Sequence, residues 1–306
     1  MAAWVAVAAA LGGCSIGPGK TSGGADLTIT RDYGKARIAH ASVTSFPKSE
    51  TVMRFLQRNT RVETRYGGRF VNAIDGVRSK SAGGARSDWF YYVNGIEADV
   101  GAAEKKLERG DRVWWDHHDW SAVMRVPAVV GSFPEPFVHG SDGKRFPVRI
   151  DCAQDAGDAC KDLAGRLDRA GITVSTAALG AAAGKQLLRF VVGTWSQVRH
   201  DGAARQIEQG PEKSGVFTRV TRAGDRYELQ LLDSGARVVA TLHAGSGLVA
   251  ATRFEEQQPT WVVTGVDETG LATAVDMVST QALRDRFAIA VTGRGAIALP
   301  ISAGDE

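Results

Sequence analysis

The chain has 306 residues, of which 43% are hydrophobic and 23% are charged. This length suggests two domains with ordinary cores, and the composition excludes disorder and collagen-like repetition. The 37 basic and 34 acidic residues leave a formal charge of only +3, so nucleic acid is not an expected partner.

The first 13 residues are apolar and uncharged, and residues 11–15 read Leu-Gly-Gly-Cys-Ser. Small residues before Cys14 resemble the lipobox of bacterial lipoproteins, which implies cleavage before Cys14 and a lipid on its sulfur. We therefore predict a signal peptide at residues 1–13, a flexible tether at residues 14–25, and a lipid anchor on the extracytoplasmic face of the cell membrane. Because a secretory signal normally begins with Lys or Arg, we expect the true start codon to lie upstream of Met1. The alternative is an apolar helix that contains a cysteine by chance.

Residues 26–122 show the element order of a β-grasp domain. Residues 27–33 and 35–41 alternate in polarity about Gly34 and predict a hairpin. A helix should follow, with Ser49 as its N-cap and Asn59 ending it in a left-handed conformation. Further strands are predicted at residues 61–66, 70–74, 88–93, 96–99 and 112–120, with Asn94-Gly95 as a hairpin turn.

Four segments of this region also resemble a known family, the DUF4430 domain. They are TVMRFLQR at 51–58, GRFVNAIDGV at 68–77, WFYYVNGIEADVG at 89–101 and GDRVWWDHHDW at 110–120. The DUF4430 domain is similar to the C-terminal β-grasp domain of the vitamin B12 carriers transcobalamin and intrinsic factor. The resemblance covers this domain alone, and it implies a small-ligand site with cobalamin as a possible ligand.

Aromatic residues near the end of this domain are candidates for ligand contact. Trp89 and Tyr91 share one strand face, and with Trp115 they could stack on a flat ligand. His117 and His118 point to opposite faces of an extended strand, so one of them could coordinate a cobalt or haem iron. The alternatives are that the aromatic residues complete a core or are covered by the second domain, and that the histidines are hydrogen-bonded at a strand end.

Residues 123–137 contain three prolines and predict a linker, and residues 138–306 predict an α/β domain with a mixed sheet. A strand at residues 148–151, a helix at 159–170 and a strand at 171–176 form a βαβ unit. Apolar strands are predicted at 187–192 and 261–263, helices at 202–209 and 269–283, and antiparallel strands that extend the sheet at 215–220, 227–232 and 237–242. The chain is thus expected to be of the α+β class.

Cys152 and Cys160 are the two cysteines left once Cys14 is lipidated. In an exported protein an even pair favours a disulfide. Zinc is the alternative, but neither a C-x-x-C motif nor a nearby pair of histidines accompanies these cysteines.

Trp195 and Asp267 follow predicted strands of the second domain. Because ligands of open α/β sheets bind beyond the carboxyl ends of strands, these two residues could stack on and hydrogen-bond a ligand. An N-cap explains Asp267 equally well.

No motif for nucleophilic, metalloprotease or dithiol chemistry occurs in the sequence, so we do not expect an enzyme. The predicted function is a cell-envelope lipoprotein that binds a small ligand, with cobalamin as one possibility, for presentation to a membrane transporter. The alternative is a non-catalytic lipoprotein that docks another envelope protein through its aromatic β-grasp face.

Overall fold

The computed structural model describes residues 21–82, 85–255 and 257–302. The predicted signal peptide, Cys14 and the first residues of the tether lie outside this part. No helix within the described residues is both long enough and apolar enough to cross a bilayer.

The strands of the first domain are β1 (Thr21–Ser22), β2 (Ala25–Arg31), β3 (Ala36–Val43), β4 (Phe46–Pro47), β5 (Val62–Arg65), β6 (Phe70–Ile74), β7 (Val77–Arg78), β8 (Lys80–Ala82), β9 (Ala85–Val93), β10 (Ile96–Glu97) and β11 (Arg112–Asp119). The strands of the second domain are β12 (Val148–Cys152), β13 (Ser175–Ala178), β14 (Leu188–Thr194), β15 (Thr218–Ala223), β16 (Arg226–Leu232), β17 (Val238–Leu242), β18 (Gly247–Thr252), β19 (Thr260–Gly265), β20 (Ala288–Thr292) and β21 (Gly295–Leu299). The helices are α1 (Val52–Asn59), α2 (Gly157–Arg169), α3 (Trp195–Val198), α4 (Gly202–Glu208), α5 (Pro211–Ser214), α6 (Glu268–Asp276) and α7 (Thr280–Leu283).

The first domain has the β-grasp arrangement that the element order predicts. Strands β2 and β3 form the antiparallel hairpin, and β11 returns parallel to β2 and antiparallel to β9. The sheet order is β10-β9-β11-β2-β3, with β8 beside β9. Helix α1 covers one face of this sheet, where Phe55 and Leu56 pack with Ile29. The predicted α+β class is confirmed.

The ends of α1 differ from the prediction. Thr51, and not Ser49, is the N-cap, because its side chain accepts a hydrogen bond from the amide of Arg54. The helix ends at Asn59, and its C-cap, Thr60, has extended backbone. Asn59 does not take a left-handed conformation but donates its side-chain amide to the carbonyl of Phe55 at 2.7 Å.

The second domain is built on a seven-stranded mixed sheet of order β13-β12-β14-β19-β18-β20-β21. Its first four strands are parallel and the others antiparallel. The predicted βαβ unit is β12-α2-β13, and the disulfide between Cys152 and Cys160 joins its first strand to its helix. The disulfide prediction is confirmed.

Two predictions for the second domain are wrong. Strands β15, β16 and β17 do not extend the large sheet but form a sheet of their own, because Val220, Leu229 and Leu231 pack it onto one face of the large sheet. The helix predicted at residues 269–283 is two helices, and Ser279 caps the second by accepting from the amide of Ala282 at 3.2 Å.

The segment predicted as a linker is packed between the domains. Val129 and Val130 are buried. The amide of Val129 donates to the carbonyl of Gly95 at 2.9 Å, and the amide of Val130 donates to the carbonyl of Phe287 at 3.1 Å. Phe133 belongs to the core on the other face of the large sheet. The segment therefore joins the two domains through side-chain packing as well as through the chain.

Candidate ligand-binding site

The three aromatic residues predicted to stack on a ligand lie together on the helix side of the β-grasp sheet. Tyr91 stacks on Trp115 with ring centroids 4.8 Å apart, and its hydroxyl donates to the carbonyl of Val100 at 2.5 Å. Trp89 and Trp115 are 6% and 2% exposed and belong to the core under α1. The shared face is as predicted, but it is packed by the protein itself.

His117 and His118 do point to opposite faces of β11. His117 lies against Trp89, with ring centroids 5.1 Å apart, and burial lowers the pKa of its imidazole. His118 is stacked between Tyr33 and Phe90, with centroid distances of 4.3 and 4.4 Å. Both histidines are less than one-tenth exposed.

A buried carboxylate holds His118 in place. Asp116 is fully buried and lies 2.8 Å from Nδ1 of His118. It also accepts hydrogen bonds from the amides of Tyr33 at 3.0 Å and Gly34 at 2.9 Å. Within the described residues there is no group of three or more His, Cys, Asp or Glu side chains placed to hold a metal ion.

The second domain covers the opposite face of the β-grasp sheet. Phe287 contacts Tyr33 and Trp114, in each case with ring centroids 5.1 Å apart. The ring centroids of Phe217 and Tyr33 are 4.9 Å apart. Tyr92 on the same face is fully buried. A flat ligand would have to displace packed side chains to reach either face, and ligand binding by the predicted residues of this domain stays a prediction.

The carboxyl ends of the parallel strands in the second domain are also filled. Trp195 is 1% exposed, and the cavity beside it measures about 10 Å³, room for about one water molecule. Asp267 caps α6, because its carboxylate accepts from the amides of Gly270 and Gly245, both at 2.8 Å. The N-cap alternative is confirmed, and ligand contact by Trp195 and Asp267 stays a prediction.

An open cavity of about 560 Å³ lies at the opposite end of the large sheet, where β14 and β19 begin and β18 ends. We call it the basic pocket, because three cations and no carboxylate occur among the described residues that line it. The lining is Arg189, Gly202, Ala203, Arg205, Gln206, Gln209, Lys213, Thr252, Phe254, Gln257, Gln258 and Thr260.

Arg189 is fixed at the wall of the basic pocket by two carboxylates. Its Nε donates to Asp151 and its Nη2 to Asp201, both at 2.7 Å. Burial lowers the pKa of Arg189, but the hydrogen bonds to Asp201 and Asp151 outweigh burial and raise the pKa above its ordinary value. Asp201 is also the N-cap of α4, so one side chain positions both the cation and the helix.

The other two cations project from short helices at the pocket mouth. Arg205 on α4 and Lys213 on α5 are exposed, and no ion pair involving either side chain occurs in the described part of the chain. Between them and the sheet, Gln206 accepts from the hydroxyl of Thr252 at 3.3 Å. Phe254 is 53% exposed, although a fully buried strand ends only two residues before it. The pocket thus combines unpaired positive charge, amide groups and an open aromatic ring.

The basic pocket was not predicted from the sequence, because ligand contacts were expected beyond the carboxyl ends of the strands and the pocket lies at their other end. One signal was present: residues 253–258, Arg-Phe-Glu-Glu-Gln-Gln, place a phenylalanine among polar residues directly after an apolar run. An aromatic residue in such a polar segment has little core to join.

A second cleft, of about 280 Å³, lies between the domains. Two of its three arginines are already engaged: Arg37 pairs with Asp285, and Arg112 donates to the carbonyl of Phe133 at 2.7 Å. The third, Arg284, is exposed. Among the described residues, the basic pocket therefore has two cations without an ion pair, Arg205 and Lys213, and the cleft has one.

Comparisons with known proteins cover part of the chain. No curated protein sequence matches the chain significantly. A solved structure from Ruminococcus gnavus ATCC 29149, titled a "putative metal binding protein", is similar at 12% identity and a TM-score of 0.25, over 32% of this chain and 98% of that one. Residues 49–119 match the family DUF4430, a domain of unknown function. This part of the chain is therefore a DUF4430 domain.

Proposed function

We propose that the protein is a non-catalytic binding protein of the cell envelope whose basic pocket takes a small anion with a flat apolar part. The observation that carries the proposal is the composition of the pocket: Arg189, Arg205 and Lys213 face a cavity of about 560 Å³ whose described lining contains no carboxylate. A cavity of this volume suits a small organic ligand.

The chemistry of the lining selects the class of ligand. Guanidinium groups hold carboxylates, sulfonates and phosphates by charge-assisted hydrogen bonds. The half-exposed ring of Phe254 offers an apolar face on which a planar group can stack. The amides of Gln206 and Gln257 can each donate and accept, which would orient the polar edge of a ligand.

The cellular setting is part of the same proposal. The lipobox at residues 11–15 supports anchoring through Cys14, and the disulfide of Cys152 and Cys160 is typical of an exported protein. An anchored protein with a ligand pocket could pass its ligand to a membrane transporter.

Docking through the aromatic β-grasp face has less support. Helix α1 covers the face that carries Trp89, Tyr91 and Trp115. The second domain covers the opposite face through Phe217 and Phe287, so a partner would have to displace packed elements to reach either one.

The proposal is tested with a matched pair of fluorescent probes. 1-Anilinonaphthalene-8-sulfonate is a flat anion, and N-phenyl-1-naphthylamine is its uncharged counterpart. We expect the anion to bind at micromolar concentration and its neutral counterpart to bind at least tenfold more weakly, because the latter gains nothing from the cations. Cobalamin serves as a competitor, since the DUF4430 resemblance implies it.

Substitutions assign the binding to the pocket. Arg205→Gln and Lys213→Gln should each weaken binding of the anion about three- to tenfold, which corresponds to the loss of a charge-assisted contact. Arg294→Gln removes an exposed arginine in the β20–β21 turn and should change nothing. Equal affinity of the wild type and an Arg205→Gln/Lys213→Gln double variant would overturn the proposal.

A further inference from the structure

The loop between β18 and β19 supplies three residues of the basic pocket, namely Phe254, Gln257 and Gln258. Its shape depends on Arg253, which directly precedes Phe254. Nε of Arg253 donates to the carbonyl of Gln257 at 2.8 Å, so one guanidinium links the first residue of the loop to Gln257.

The same guanidinium reaches the DUF4430 domain. Nη1 of Arg253 lies 3.2 Å from Oδ2 of Asp99, just beyond β10. The side chain of Arg253 is only 13% exposed, so its position is set by these contacts more than by solvent.

Asp99 is in turn held by an arginine in the segment that follows the first domain. Its Oδ1 lies 3.3 Å from Nη2 of Arg125, and Nε of Arg125 lies 3.0 Å from the buried carboxylate of Glu97. Asp99 therefore stands between two guanidinium groups, one in the segment that follows its own domain and one on the pocket loop.

We infer that Asp99 is a positioning residue for the basic pocket: through Arg253 it holds the β18–β19 loop so that Phe254 and Gln257 face the ligand. The DUF4430 domain then supports a site that it does not line. This inference rests on the proposed function, and it assigns the domain a role in that function.

The test compares two carboxylates of similar exposure. Asp99→Asn should weaken binding of 1-anilinonaphthalene-8-sulfonate about two- to fivefold, in keeping with the modest strength of a part-exposed ion pair. Asp142→Asn is the control, because Asp142 is exposed to a similar degree but pairs with Lys105; its affinity should equal that of the wild type. Thermal unfolding of both variants identifies any general loss of structure.

A double-mutant cycle separates positioning from a general effect on the fold. Arg253→Gln alone should weaken binding as much as Asp99→Asn or more, and adding Asp99→Asn to Arg253→Gln should have no further effect. If the wild type binds the probe and Asp99→Asn binds it equally well, the inference is wrong while the proposed function stands. The inference is also wrong if Asp99→Asn acts in full on the Arg253→Gln background. Failure of the wild type to bind the probe would refute the proposed function itself.

Discussion

Glu97 is a buried carboxyl at the junction between the DUF4430 domain and the segment that follows it. Burial outweighs the attraction of Arg125 and raises the pKa of Glu97 from 4.5 to about 7. Between these two pH values the folded protein keeps a proton that the unfolded chain has released. Stability is therefore lost as the pH rises through this range.

We predict that Glu97→Gln reduces this loss. Between pH 5 and pH 8 the wild type should lose up to about 3 kcal/mol of unfolding free energy through Glu97, and the variant should lose correspondingly less. Urea unfolding at pH 5 and pH 8 measures the loss of unfolding free energy in the wild type and in the variant. Glu63→Gln is the control: Glu63 is exposed and pairs with Arg78 at the surface, so this variant should lose as much as the wild type. An equal loss in Glu97→Gln and wild type would contradict the assignment.

Local chemistry made some residues predictable and left others hidden. The pairing of Cys152 with Cys160 follows from the even number of cysteines left after Cys14 in a chain predicted to be exported, and the opposite faces of His117 and His118 follow from strand geometry. The burial of His118 depends partly on Phe287, whose ring centroid lies 5.6 Å from that of the imidazole although it is about 170 positions later in the chain. No local pattern encodes such a contact.

Among the elements, α1 offers a sharp test of a helix start. Thr51→Ala should cost about 1 kcal/mol of unfolding free energy, because the amide of Arg54 loses its acceptor. Ser49→Ala should cost close to nothing, although the sequence alone favoured Ser49 as the cap. Urea unfolding of the two variants decides between the positions, and a larger loss for Ser49→Ala would show that the cap is misplaced.

The β12-α2 unit carries the disulfide. Replacing Cys152 and Cys160 together by alanine should lower the unfolding free energy by about 2–3 kcal/mol, since the unfolded chain regains the entropy of a short loop. Reduction of the wild type should lower it by a similar amount. Unchanged urea midpoints after both treatments would argue against a stabilising bond.

Elements with clear periodicity or turn chemistry were predictable, including the β2-β3 hairpin and the turn at Asn94-Gly95. The sheet to which β15, β16 and β17 belong could not be predicted in the same way. Alternating polarity identifies strands, but strand pairing depends on which apolar face meets which surface, and here Val220 and Leu229 place these strands on top of the large sheet.

At the scale of the molecule, the two domains share one core through Phe287. Phe287→Ala should lower the unfolding free energy by about 3–5 kcal/mol, because the ring packs against Tyr33, Tyr92 and Trp114. Phe254→Ala is the matched control, and its effect should stay within about 0.5 kcal/mol because that ring is 53% exposed. Similar losses for the two variants in urea unfolding would contradict a shared core.

The α+β class could be predicted from the sequence, since it depends on local element types. The basic pocket could not be predicted, because α4, α5 and the β18–β19 loop are brought together only when the protein has folded. Arg205 and Phe254 are about 50 residues apart, and neither belongs to a motif.

Hydrogen–deuterium exchange of the full chain with and without 1-anilinonaphthalene-8-sulfonate tests the location of ligand binding most directly. We predict slower exchange confined to residues 202–213, 252–255 and 257–260, which lie around the basic pocket. Protection restricted to residues 36–42 and 280–286, which border the cleft between the domains, or no protection at saturating probe, would contradict the assignment of the basic pocket as the binding site.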